Sequence, residues 1–530
     1  MKRFNKTTLL LGIIGSLLLL TVFFSFAPMS IPTPTLTPTP TATITPTITP
    51  TQTPTLTPTQ TPTPAKEKAA TPNLLIILVD QWKGQALGFQ KKEPVLTPNL
   101  DQLSKNGLVL QQMISNYPVC SPARAMLMTG KYPFKNKVYS NVNSASAAFG
   151  VELPKDIVCW SDVLKSIGYS NGYIGKWHLD SPHEPYVPTS NNVGAVAWNE
   201  WTTPDRRHGF DYWYAYGTYD VHNRPMYWDT KATRDSFHYV NEWGPEHETK
   251  KALEFMRNDG GKIREKDKPF SLVVSMNPPH SGYTSVPKKY YDIYKDVPME
   301  LLLKDPNIPA KGTPMGEEYR NNIKYYYANI TGVDEQVGKI LLGLKDNHLE
   351  DNTIVVFMAD HGNCLGKHDE ISKNNIYEES LNIPFIIYWK GHIVPRIDNV
   401  FLGSIPDLYP TLLDLMGLKK NIPNDLDGVS YANYFKNGQG NKPALQFMIG
   451  AIGSNAVEIN SGFRGIRTDN FKLAYVKKKG GVVPFLFDLK SDPFEMNNIY
   501  DANMAIVKQL KAELVKTLKE QNDGFIIPDN

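Results

Sequence analysis

Long apolar stretches without polar alternation punctuate the chain, and each ends in residues able to do chemistry. The first, NLLIILVDQ (residues 73–81), closes on Asp80 and Gln81. GYSNGYIGKWHLD (168–180) carries Lys176 and His178 near its end, KPFSLVVSMNPPH (268–280) runs to His280, and NTIVVFMADHG (352–362) closes on Asp360 and His361. A strand buried on both faces has no reason to alternate, so the pattern predicts parallel strands covered by helices. Ligands of such sheets sit beyond the carboxyl ends of the strands, so the four polar endings point to one site. TPNLDQLSKNGLVLQQM (97–113) predicts a helix, with Pro98 early, Leu100 and Leu103 apolar and Gly107 as the stop. A second helix is predicted behind Cys120, through the apolar run 125–128 to a Thr129-Gly130 stop. After about residue 403 the pattern changes. SIPDLYPTLLDLMG (404–417) is a helix with a glycine stop, residues 463–499 read as antiparallel strands with a turn at Gly480 and Gly481, and residues 501–521 form an amphipathic helix. The expected fold class is α/β: a large mixed, mostly parallel sheet sandwiched by helices, with a smaller C-terminal α+β subdomain containing an antiparallel sheet.

The N-terminal pattern is different in kind. Lys2, Arg3 and Lys6 precede an apolar run over residues 7–26. That run is near the ~20 residues that span a bilayer and longer than the usual signal core of about 7–15. Residues 1–30 are expected to be a signal peptide or an N-terminal membrane anchor, which implies export and an extracellular or cell-surface-tethered location. Residues 31–70 are Thr/Pro-rich; proline removes backbone donors and fixes φ, so this segment is expected to be a disordered, extended stalk. The remaining boundaries are a catalytic domain over 71–420 and the C-terminal subdomain over 421–530. Acid and base nearly balance, at a formal net charge of +3, which excludes a nucleic-acid footprint. Three cysteines in 530 residues supply no disulfide framework.

The polar endings suggest a divalent metal. Asp80, Gln81 and Asp360 offer hard oxygen ligands suited to calcium, magnesium or manganese, and His361 adds a nitrogen that tilts toward manganese. The structural alternative for each aspartate is a helix cap or loop residue. Arg124, Lys176, His178, His280 and Lys373 would surround a tetrahedral oxyanion, sulfate or phosphate, and stabilise charge spread over its oxygens during transfer. Each taken singly reads equally as a surface or structural residue. Cys120 has two readings: a thiolate activated at a helix N-terminus beside Arg124, or a small buried hydrophobe.

Neither reading accounts for the company Cys120 keeps. CSPAR (120–124) followed by Thr129-Gly130, with GKWHL (175–179), resembles the type I sulfatases of the alkaline phosphatase superfamily. Those two signatures, with Asp-Gln, Pro-Pro-His and Asp-His-Gly in order, carry the resemblance across nearly the whole folded body. It implies that a maturation enzyme oxidises Cys120 to Cα-formylglycine. One hydroxyl of the hydrated aldehyde then attacks sulfur, and loss of the second proton ejects sulfate. It further implies metal ligation by Asp80, Gln81, Asp360 and His361, with calcium favoured and manganese the alternative. Arg124 would orient the hydrate, Lys176 and Lys373 would bind sulfate oxygens, His178 would serve as the base for elimination, and His280 would meet the leaving oxygen. Asn141 matches a polar active-site position of some relatives.

The chain departs from the commonest pattern in having Gln81 where many members have a second acid, and His361 where many have asparagine. Two rival functions follow: a phosphonate monoester or phosphodiester hydrolase of the same superfamily, or an inactive protein that binds sulfated glycans. Lys176 and His178 together favour the sulfatase. The expected substrate is a sulfated extracellular carbohydrate. Specificity is expected from the segments 198–213 and 219–228, with Arg206, Arg207, His222 and Asn223 as candidate contacts; loop polarity is their structural alternative.

Overall fold

The computed structural model describes residues 71–450 and 461–528. The leader or anchor expected over 1–30 and the stalk expected over 31–70 lie outside the described residues. The four apolar runs form the strands they predict, β1 (Asn73–Val79), β3 (Ser170–Lys176), β7 (Phe270–Met276) and β8 (Thr353–Ala359), and six further strands join them: β2 (Leu108–Leu110), β4 (Tyr212–Tyr216), β5 (Met226–Asp229), β6 (His238–Tyr239), β9 (Phe385–Tyr388) and β10 (Arg396–Asp398). They make one sheet in the order β10-β2-β9-β8-β1-β7-β3-β4-β5-β6. The five central strands β8, β1, β7, β3 and β4 are parallel to one another, and β9 and β5 flank them antiparallel. Every residue of β1, β3, β7 and β8 is buried, as their lack of alternation requires.

Register fixes what the strand ends share. Val79 lies opposite Met276 on one side and Ala359 on the other, and Gly175 lies opposite Ser275. The residues just past each strand therefore emerge side by side. Gly175 has φ of +95°, and a Cβ built there would stand 2.1 Å from the Ser275 carbonyl oxygen, so only glycine lets β3 lie this close to β7.

Helices cover the sheet. α1 (Pro98–Asn106) ends at Gly107, and α2 (Cys120–Thr129) ends at Gly130 in the left-handed region at φ 64°. α3 (Gly244–Arg257) packs on α4 (Pro314–Asp346), a 33-residue helix whose N-terminal cap is Thr313. α5 (Leu408–Leu415) follows. The C-terminal sheet is antiparallel in the order β11 (Gln446–Gly450), β12 (Phe463–Arg467), β13 (Phe471–Lys478) and β14 (Gly481–Asp488), packed by α6 (Met504–Glu520). Arg464, fully buried, joins this sheet to the chain end through an ion pair with Asp523.

One expectation is corrected. The segments 198–213 and 219–228, read as loops, contain the starts of β4 and β5, which extend the large sheet. Phe435, within the expected C-terminal subdomain, lies against Phe385 of β9 and against Phe401.

Candidate active site

α2 is buried along its whole length, and its first residue sits at the carboxyl end of the sheet. Ser121 locks that position. Its hydroxyl donates to the His178 carbonyl at 2.7 Å and accepts from Val142 N at 3.0 Å, while its own N–H donates to Asn141 Oδ1 at 3.2 Å. The N-terminal end of the helix thus presents Cys120, with its partial positive charge, to whatever gathers there.

Around Cys120 Sγ stand His361 Nε2 at 3.3 Å, Lys373 Nζ at 3.3 Å, Asp80 Oδ1 at 3.7 Å and Lys176 Nζ at 3.8 Å. Burial and the Asp80 charge oppose ionisation of the thiol, yet Lys176 and then Lys373 hold its pKa well below the ordinary value. Arg124, one turn along α2, spans the two acids: Nη2 lies 3.0 Å from Asp80 Oδ2 and Nε 3.0 Å from Asp360 Oδ2, with Nη1 donating to Ser275 Oγ and the Lys176 carbonyl at 2.7 Å. Lys176 Nζ is 2.8 Å from Asp80 Oδ2 and donates to Asn277 Oδ1 at 3.0 Å. Burial works against the Asp80 charge, and Lys176, then His280 and Lys373, override it, so its pKa lies well below the usual carboxylate range. Asp360 goes the other way, raised by burial and then by Asp80. Two buried carboxylates side by side with opposed shifts form a pocket that a cation would relieve.

The donor set fits a divalent ion. Ligand atoms of Asp80, Cys120, Asp360 and His361 all lie within 4.8 Å of one another. His361 Nδ1 donates to the Gly362 carbonyl at 2.9 Å, which leaves the Nε2 lone pair facing Asp80 Oδ1 at 3.4 Å and Asp360 Oδ1 at 3.5 Å. Gln81, at φ 65°, directs its amide by its partners: Nε2 donates to Tyr283 OH at 3.1 Å and Ser372 Oγ at 3.2 Å, and Oε1 accepts from Lys373 at 2.8 Å. The oxygen of Gln81 therefore faces the site.

Two histidines differ in state. His178 donates Nε2–H to the Val142 carbonyl at 3.0 Å, and its buried Nδ1 has no hydrogen-bond partner. Burial lowers its pKa, so it is a neutral ring with a free lone pair. His280 Nε2 lies 2.9 Å from Lys373 Nζ, and its Nδ1 pairs with Asp220 Oδ1 at 3.0 Å. Burial disfavours its charge, but Asp220 outweighs that, and its pKa is raised.

A cavity of about 430 Å³ opens over Cys120, lined also by Asn141, His178, Asn191, Trp198, Asp220, His280 and Lys373. The sequence-derived metal and catalytic candidates all converge here. Four candidate substrate contacts do not line it. Arg206 pairs with Asp180 at 2.6 Å and with Glu152. Arg207 is buried over the Trp213 ring, 5.4 Å from its centroid, and donates to the Thr230 carbonyl. His222 is buried behind the site, bonded to the Ser281 carbonyl at 3.0 Å, and Asn223 points its backbone N–H to Ser285. Sequence reasoning missed Asp220, Asn277 and Ser275. Asn277 immediately follows the apolar run of β7, and Asp220 follows the aromatic strand β4, so the strand-end signal that found Asp80 was available for both.

The family model described as Sulfatase matches residues 72–418, and that described as N-sulphoglucosamine sulphohydrolase, C-terminal, matches residues 366–523. The chain is 37% identical over 495 residues to an endo-4-O-sulfatase of Bacteroides thetaiotaomicron, covering 87% of this chain and 94% of that one. It is 31% identical over 469 residues to an ulvan-active sulfatase of Formosa agariphila, covering 87% and 83%. A solved Bacteroides fragilis structure that carries a sulfatase designation matches at a TM-score of 0.82 and 50% identity, covering 87% of this chain and 98% of that one.

Proposed function

The chain belongs to the sulfatase family and is a sulfuric ester hydrolase, and from that premise we propose that it desulfates an extracellular sulfated carbohydrate, with Cys120 carried as Cα-formylglycine. The observation that bears most weight is the setting of Cys120: a buried side chain at a helix N-terminus, within 4 Å of two lysines, an aspartate and a histidine. A relative active on ulvan and another named an endo-4-O-sulfatase support a carbohydrate substrate.

The hydrated aldehyde made by a maturation enzyme supplies two geminal hydroxyls, one to attack sulfur and one whose deprotonation returns the aldehyde and frees sulfate. Arg124, held by Asp80, Asp360 and Ser275, fixes the charge beside that side chain. Lys176 and Lys373 flank it and neutralise the ester's sulfate oxygens. His178, neutral with an open Nδ1, takes the proton in the elimination step. His280, charged through Asp220, gives a proton to the departing sugar oxygen, sharing that place with Lys373.

Asp80, Gln81, Asp360 and His361 would hold a divalent ion, which supplies Lewis-acid charge when bound. Three of the four donors are hard oxygens, which favours calcium, and the His361 nitrogen makes manganese the alternative. An exported location rests on the N-terminal sequence, whose anchor, if uncleaved, engages the membrane; no nucleic acid is a partner.

A phosphonate monoester hydrolase of Agrobacterium radiobacter shares the fold, with a TM-score of 0.61 at 24% identity. The Lys176 and His178 pair sets the present chain toward sulfate. Comparing kcat/KM for 4-nitrophenyl sulfate and phenyl phosphonate esters tests this; a preference for phosphonate rejects it. Turnover by a Cys120→Ala protein would reject the nucleophile, and intact mass lacking the thiol-to-aldehyde change would reject the modification. An absence of turnover on every member of a panel of defined sulfated saccharides, in matured protein, would leave the binding-protein alternative.

A further inference from the structure

A second cavity, of about 350 Å³, begins one residue beyond the catalytic lysine. Lys373 faces Cys120, while Asn374 and Asn375 line this second space with Tyr377, Phe463, Phe485 and the tip of the β13–β14 hairpin. The chain turns sharply between the two: Asn374 has φ of +65°, and its N–H donates to the Pro118 carbonyl, two residues before Cys120. The far wall is basic. Lys477, Lys478 and Lys479 are exposed at the hairpin tip, and none makes an ion pair among the described residues. Lys478 Nζ stands 5.7 Å above the half-buried Phe485 ring, and Phe485 stacks on Phe487. The single acid lining the cavity, Glu370, has its pKa raised by burial ahead of the opposing Lys478. Three adjacent exposed cations, one of them over an aromatic ring, are thus left without an ion pair among the described residues.

We propose that this hairpin and cavity form a second, non-catalytic anion subsite, which receives a further sulfate or carboxylate of a polyanionic saccharide whose reacting sulfate lies at Cys120. Phe485 would lie against the apolar face of a sugar ring and the lysines would pair with its anions. The enzyme would then prefer an oligomer charged at successive units over a singly sulfated sugar. This rests on the sulfatase reading for the position of the reacting group, but its binding test does not need turnover.

The test uses the full chain carrying Cys120→Ala, with and without Lys477→Ala, Lys478→Ala and Lys479→Ala together. The probes are size-defined chondroitin sulfate and heparin oligosaccharides, and a neutral dextran as control. Affinity should rise with oligosaccharide length in the parent and fall roughly ten-fold in the triple variant, as expected for three exposed charge pairs. The salt dependence of binding should weaken in parallel, and a triple arginine variant should retain affinity. In the otherwise wild-type, matured enzyme the triple alanine change should leave kcat/KM on 4-nitrophenyl sulfate within two-fold while raising KM on oligosaccharides. Equal polyanion affinity in parent and triple variant overturns the subsite and means that the lysines only solubilise the sheet edge. A subsite that binds in a protein unable to hydrolyse any sulfate ester would reject the sulfatase chemistry instead. Comparable melting temperatures of all variants exclude misfolding as the cause.

Discussion

Replacing Asp220 by asparagine separates charge from shape on the leaving-group side of the site. Its carboxylate is 3.0 Å from His280 Nδ1, and Asn277 Nδ2 donates to the same oxygen at 3.0 Å. Unit charges about 4 Å apart attract by roughly 4 kcal/mol at an effective dielectric of about 20. The Asp220 side chain is 47% exposed, so solvent screens much of this, leaving on the order of 1–2 kcal/mol. That is about one pH unit. In the native protein the pKa of His280 is raised, Asp220 outweighing burial. Losing the carboxylate lowers that pKa, so the imidazolium is lost at lower pH. The alkaline limb of kcat/KM for a sugar sulfate should therefore move down by about one unit. The effect should depend on the leaving group. A sugar alkoxide needs a proton as it departs, and its turnover should fall about ten-fold or more; 4-nitrophenolate scarcely needs one and should lose under about three-fold. Parallel pH profiles of both proteins on both substrates supply the measurement. An unmoved alkaline limb, or an equal loss on the two substrates, would refute the assignment of His280 as the acid poised by Asp220.

Gly175→Ala should lower the melting temperature and raise KM, because the new Cβ meets the Ser275 carbonyl at 2.1 Å and drives β3, with Lys176, away from β7; overpacking of this kind costs about 1–3 kcal/mol. Glu248→Gln should stabilise the protein at alkaline pH. Burial lifts the Glu248 pKa to about 8, so the folded state keeps a proton that the unfolded chain loses above its ordinary 4.5, and native stability drops as pH rises through that window. Urea midpoints at pH 5 and pH 7.5 should diverge between the two proteins by on the order of 3 kcal/mol, and parallel behaviour would disprove the burial argument. Chelation should destabilise the protein by about 2.7 kcal/mol relative to a hundred-fold excess of ion over its Kd, read by calorimetry. Restoration by magnesium as complete as by calcium would reject the preference for calcium.

The candidate metal and catalytic residues were legible because of where they stand in one dimension. Asp80, Lys176 and Asp360 each close an apolar run that only a buried parallel strand explains, so chain position implied a shared edge of the sheet. Cys120 and Arg124 were legible as a motif, four residues apart on one helix face. Arg206 and Arg207 show the limit of the same method. A cation in an aromatic loop reads as a ligand contact, whereas here Asp180, from outside the segment, pairs with Arg206, and Trp213 at the segment's own end takes Arg207 over its ring. Asp220 was passed over because its meaning depends on His280, 60 residues away.

The local pattern of apolar runs, glycine stops and short signatures determined the four central strands β1, β3, β7 and β8, the class of fold and the candidates for the core site, since burial on both faces and helix-end geometry are written in neighbouring residues. Only the tertiary structure decided the rest. Register across β8, β1, β7 and β3 brought the strand ends together, Arg124 was seen to bridge both acids, the orientation of Gln81 followed from Tyr283, Ser372 and Lys373, and the lysines of the hairpin were found on one cavity with Asn374. Those features are distances between elements, and a distance between elements is set by packing, which no single stretch of chain contains.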